Sequence, residues 1–265
     1  MLRVELTTQL LRIRTLVVLA FLAAVPVLSG FSYASEAGHR NGRQTGLFGA
    51  SPYSALNHAM ASMAFIEPLL LPIMVALPAA AIASSDREWG TLRYLYVAPV
   101  SRARLLAAKL GALAVVTAIA SLCVLTAGVL AGVAVYGWHP FHIIGAPDLT
   151  GGETAIRVLS ATGYCLLCML SIATIAFTLG LLLPRGIEAL GAVVAFVIAA
   201  GILNGSHALH AVQIVLPVHY WRDWTRLFDP SGTAHLGTGI VAQVATITLA
   251  TCAAVLVLVR RDPAA

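Results

Sequence analysis

The sequence predicts an all-α polytopic membrane protein with six transmembrane helices. Three observations lead there. Hydrophobic residues make up 59% of the 265 residues and charged residues only 10%, against about 25% charged in a typical soluble domain. Too few charges remain to coat a water-soluble core of that size. The apolar residues gather in runs of about 20, the length that crosses a bilayer as a helix. The Lys and Arg residues fall between those runs or at their ends. This pattern excludes a cytosolic enzyme, a disordered tail and a secreted disulfide scaffold. A net charge of +5 suggests nucleic acid at first sight. In a membrane chain it reflects the cationic bias of cytoplasmic loops, and no nucleic-acid partner is expected.

Taken in order, residues 1–14 place Leu2, Leu6, Leu10 and Ile13 on one helical face, with Arg3, Glu5, Thr7, Arg12 and Arg14 largely elsewhere. That spacing suits an amphipathic helix lying on the membrane surface. The first span follows at 15–32. It also has the outline of a signal peptide, with Ala34-Ser35 as the cleavage region; the expectation is a retained span. Residues 33–57, Gly/Ser-rich with Arg40 and Arg43, form an external loop. The second span runs from 59 to 83 as one helix across Glu67, kinked by Pro68, Pro72 and Pro78, whose freed carbonyls neighbouring helices can satisfy. The remaining spans are 106–136, 156–183, 187–204 and 236–259. Between the last two, residues 208–216 are apolar but too short to cross. Residues 1–265 form a single transmembrane domain with no internal repeat.

Orientation follows from the cations. With both termini in the cytoplasm, eleven of the sixteen Lys and Arg lie inside and five, Arg40, Arg43, Arg157, Arg222 and Arg226, lie outside. That is the bias the positive-inside rule requires. Trp138, Tyr220, Trp221 and Trp224 then sit near the outer boundary, as interfacial aromatics do. All eight histidines also fall outside. His139 with His142, and His207 with His210, have a spacing that can serve a metal. No carboxylate or Cys completes either pair in the sequence, so they read as interfacial imidazoles.

Catalytic signatures are missing. The only lysine, Lys109, follows Ala107-Ala108, so there is no phosphate-binding G-x-x-x-x-G-K-[ST] loop. Neither H-E-x-x-H nor G-x-S-x-G occurs. Cys123, Cys165, Cys168 and Cys252 all fall inside spans and read as small packing residues. Gly128 and Gly132 form a G-x-x-x-G that permits ordinary close helix packing. Glu67 is the one clear intramembrane acid, which makes it by default a candidate for the substrate path or a gate. The plainer reading is a glutamate near the outer interface paired with a loop arginine. Transport or scaffolding is left as the function.

The segment 85–109 is the most informative. Trp89, Leu92 and Tyr96 recur at helical spacing, giving a short amphipathic helix. Pro99 ends it, and Ser101 is placed to cap the third span. Held between two spans at the cytoplasmic face, such a helix can dock a soluble partner and pass motion to both. It can also simply anchor the loop among headgroups.

The order and spacing of Asp86-Arg87-Glu88, Gly90-Thr91-Leu92, Pro99-Val100-Ser101-Arg102, Leu105-Leu106 and Lys109 resemble the signature of type-2 ABC exporter permeases. The resemblance implies that this loop is a coupling helix against a separate ATPase subunit, through Asp86, Arg87, Glu88, Trp89, Gly90, Thr91, Leu92, Arg93, Tyr96 and Pro99. Arg93 departs from the pattern, standing where many members carry an acid. The resemblance also implies an N-terminal elbow helix, re-entrant helices between spans five and six, and a second permease subunit, identical or paralogous. ATP and magnesium would belong to the partner ATPase and no cofactor to this chain, which would sit in the inner or plasma membrane. The cargo would be a drug, an antibiotic or lipid-like. Two other classes fit the same composition: a non-transporting membrane anchor or sensor, and a secondary transporter using Glu67.

Overall fold

The computed structural model describes residues 2–36, 46–88, 102–205, 210–230 and 236–260. Among the described residues all regular structure is helical, apart from an isolated bridge between Phe141 and Leu149. Short α1 (Leu2–Leu10) leads into α2 (Ile13–Glu36). After α3 (Gly46–Ala50) and a 3-10 turn at Ser51–Tyr53 comes α4 (Ala55–Ile66), then α5 (Leu70–Glu88). Long α6 (Arg102–Tyr136) and α7 (Gly151–Leu182) are followed by α8 (Gly186–Asn204) and the single turn α9 (His210–Gln213). A 3-10 segment, Pro217–Phe228, precedes α10 (Leu236–Arg260).

Local chemistry sets several of these boundaries. Ser54, with extended backbone, accepts a hydrogen bond from the Asn57 amide and starts α4. Thr150 does the same for the Glu153 amide at the start of α7. Both satisfy amides that the first helical turn leaves without an intrahelical acceptor. The cap foreseen at Ser101 lies outside the described residues.

Among the described residues five helices are long and apolar enough to cross a membrane: 13–32 in α2, 103–136 in α6, 151–182 in α7, 186–204 in α8 and 236–258 in α10. These match five expected spans within a few residues. The second expected span is different. It is not one helix but two, α4 and α5, bent by 66° at residues 67–69 and counted as a sixth crossing only if the pair is taken together. Pro68 and Pro72 explain the break. Each lacks the amide that would bond four residues back, so the helical ladder loses two donors one turn apart. Pro72 falls in the first turn of α5, where a missing amide costs little. The two halves then pack mainly on different partners, α4 on α6 and α5 on α7, with α5 also touching α6 near its end.

The bundle has a centre and a rim. Two-thirds of the apolar stretch of α7 is buried, against 11% of that of α10. Close backbone approach marks the inner seams. A Cβ on Gly132 would lie 2.6 Å from the Ala55 Cα, and one on Gly128 2.8 Å from the Ala59 Cα. The G-x-x-x-G of α6 is therefore the seam for α4. Gly180 of α7 likewise meets Ala80 and Ala83 of α5.

The N-terminal helix differs from its expected polarity. Its inward edge is polar: Gln9 is buried and Glu5 half-buried, while Leu6 and Leu10 are only partly covered. Ile13, assigned to its apolar face, starts α2 instead and is exposed. Glu5 is drawn inward by Lys109 of α6.

Candidate functional site

Of the residues expected to contact an ATPase, Asp86, Arg87 and Glu88 form the last turn of α5. Their side chains, and Trp89, Gly90, Thr91, Leu92, Arg93, Tyr96 and Pro99, lie outside the described residues. His207 does as well. The site that the fold does build is centred on Glu67.

Glu67 occupies the bend of the second span and is fully buried. Its amide donates to the Met63 carbonyl at 2.9 Å, so helical backbone persists up to the proline. The carboxylate faces Trp224, whose indole Nε1 donates to Oε2 at 2.7 Å. Among the described residues no hydrogen bond reaches Oε1. The thiol of Cys165 on α7 stands beside the carboxyl as a weak donor, and the charge of Arg222 acts on it from the 217–228 segment. Arg40 and Arg43, two of the loop arginines that could pair with it, lie outside the described residues. Among the described residues Glu67 makes no ion pair, and its direct partner is a tryptophan. An indole can satisfy a buried carboxylate without placing a second charge in apolar surroundings.

Trp224 is itself fully buried. It meets Phe228 edge-on at 6.2 Å between centroids, and Phe228 stacks on Phe141 at 4.9 Å. The 217–228 segment is pinned at further points. The Tyr164 hydroxyl donates to the Tyr220 carbonyl at 2.8 Å. Gln243 of α10 donates to the Pro217 carbonyl at 2.8 Å and accepts from Ser171 of α7 at 2.6 Å. Arg157 reaches the Leu227 carbonyl at 2.7 Å. Trp224 and Trp221 are therefore buried in the core of the bundle, and Tyr220 is nearly as deep. Ser171 and Gln243 carried no signal in the sequence beyond being polar residues inside apolar runs.

The histidines also gain partners that linear spacing hides. His142 Nδ1 lies 2.6 Å from Asp148 and its ring stacks on Tyr53 at 4.2 Å. Asn57 holds the same residue by its backbone, donating to its carbonyl at 2.7 Å and accepting from its amide at 3.0 Å. His58 is buried between Ser51, at 3.0 Å, and the Pro26 carbonyl, at 2.9 Å. These contacts tie the start of α4 to the interior of α2 and to the segment that follows α6.

Helices of this length and apolarity, crossing around a buried acid, define a multi-pass membrane protein. Residues 9–201 match the family described as ABC-2 family transporter protein. That is well over half of the chain, and the chain belongs to this family. Its place there is that of a transporter permease rather than a catalytic enzyme, and the family implies an ABC ATPase subunit as partner. No curated protein matches the chain.

Proposed function

We propose that this chain is the membrane-spanning permease subunit of an ATP-driven ABC exporter. The match of residues 9–201 to the ABC-2 transporter family carries this reading. Residues 1–265 act as one permease domain, with both termini in the cytoplasm, α1 as an elbow helix and the stretch between the fifth and sixth spans re-entrant. A second permease subunit, identical or paralogous, completes the cargo path, and lipid covers the remaining apolar surface. ATP and magnesium are held by the separate ATPase. Closure of that subunit pushes on the loop that includes Glu88 and Gly90, and the spans open outward. The cargo belongs to the drug, antibiotic or lipid-like class.

Glu67 fits a gate better than a cation-binding residue in the resting state. Its carboxylate is buried and engaged by Trp224, which favours a contact that must break before the path opens.

Co-purification tests the partner: an ATPase should follow the chain through detergent extraction, and a chain that retains none contradicts the reading. Glu88→Ala and Gly90→Val should melt as the unaltered chain does while ATP-driven extrusion falls, by about tenfold for a contact that couples two sites. Normal extrusion of a test-drug panel by both variants would remove the coupling role from this loop. Ion-driven uptake without ATP, abolished by Glu67→Gln, is the outcome expected of a secondary transporter.

A further inference from the structure

Three helices meet at Lys109, the one lysine in the chain. It lies two turns into α6 and is only 4% exposed. Its ammonium donates to the Ile82 carbonyl at 2.9 Å and to the Ser85 hydroxyl at 3.0 Å, both on the last turns of α5. It also forms an ion pair with Glu5 of α1 at 3.8 Å. The partners are held in turn. Ser85 donates to the same Ile82 carbonyl at 2.9 Å, and Gln9, buried on α1, donates to Glu5 at 3.0 Å. Arg104, one turn earlier on α6, is exposed.

The position in the chain gives this node its meaning. Ser85 stands three residues before the end of α5, and Lys109 stands seven residues after the start of α6. The residues expected to dock the ATPase lie in sequence between those two points. A push on a loop whose roots are free would splay its two helices. Roots joined by a buried charge move together, because an ammonium is a compact point charge with three donors and pays heavily to lose its partners where water cannot replace them. Glu5 extends the joint to α1.

We propose that Lys109 is a positioning residue that fastens α1 and both roots of the 89–101 loop into one rigid unit, so that a load on the loop displaces all three helices together. The source of that load rests on the permease reading; the joint does not.

Spin labels at Thr8→Cys on α1 and Ala107→Cys on α6, both exposed sites, report the joint in a background lacking Cys123 and Cys252. The distance between them is measured in the permease alone and again in the ATPase complex with and without vanadate-trapped nucleotide. The unaltered joint should give one narrow distribution, the same in every state. Lys109→Met should broaden it, and permease-dependent ATP hydrolysis should fall about fivefold while the ATPase stays bound. Lys109→Arg, which keeps the charge, should restore the narrow distribution. A Lys109→Met distribution as narrow as the original overturns the proposal. So does equal broadening in Lys109→Arg, since packing of the stem would then be what holds the helices. If Lys109→Met fails to fold, Glu5→Gln with Ser85→Ala weakens two partners and keeps the ammonium: broadening supports the joint and an unchanged width rejects it. Loss of the ATPase from every sample would sink the permease reading and leave the label distances in the isolated chain to decide this one.

Discussion

Glu67 and Trp224 form a buried pair whose two members lie 157 residues apart in sequence. Removing only the indole donor strands a carboxylate, a loss of about 1–3 kcal/mol. Trp224→Phe should therefore lower the melting temperature clearly. Glu67→Leu combined with Trp224→Phe should recover much of it, because replacing both partners by apolar groups is close to neutral. A double variant as unstable as Trp224→Phe alone would show that indole packing, not the hydrogen bond, matters there. Gly132 makes a second residue-scale test. Any Cβ meets the Ala55 backbone, so Gly132→Ala should cost about 1–3 kcal/mol in overpacking. At Gly163 on α7 nothing lies within 4 Å, and Gly163→Ala should be neutral or stabilising in the same thermal assay. Asp223 offers a pH test. Burial lifts its carboxyl above the ordinary range, against the pull of Arg226 and His219. The folded state then holds that proton more tightly than the unfolded state, so stability from this group declines as pH rises. Asp223→Asn should raise the melting temperature at neutral pH and lose that advantage on acidification through the carboxylate range. An equal shift at both pH values would contradict this origin.

At the scale of elements, the broken second span is the feature that organises the site. Its two halves bury their faces against different helices, and the bend sets Glu67 beneath the 217–228 segment. Restoring both amides with Pro68→Ala and Pro72→Ala should increase helical circular dichroism yet lower the melting temperature, because a straight span cannot serve α6 and α7 at once. A gain in both would mean that the bend is a local accident. The prolines were visible in the sequence, and so was a kink. The size of the kink was not, because a neighbouring helix can heal or exploit a missing hydrogen bond, and only the packing decides which. The 217–228 segment shows the same limit more sharply. Its Trp and Tyr residues suit a membrane boundary by composition, and it is the partner at long range that takes them into the core.

For the whole molecule, sidedness is the next quantity to measure. In intact cells an impermeant maleimide should label Trp138→Cys from outside and leave Ala103→Cys untouched until the membrane is opened. The reverse pattern would invert the proposed topology and remove the loop from the ATPase's side. The peripheral helices α2, α8 and α10 bury only 28%, 22% and 11% of their apolar stretches within the chain, so most of their apolar surface faces away from it. The placement of five long apolar helices was legible in the sequence alone, because a bilayer demands long uncharged runs and tolerates charge only at their ends. The identity of the acid was as well, since Glu67 stands out wherever apolar residues surround it. Which face each helix turns inward, how far the second span bends, and the joining of Glu67 to Trp224 and of Lys109 to Glu5 and Ser85 were decided only by tertiary structure. A bilayer selects for apolarity in the same way on every face of a helix, so the few polar contacts that choose a partner become definite only once the helices lie side by side.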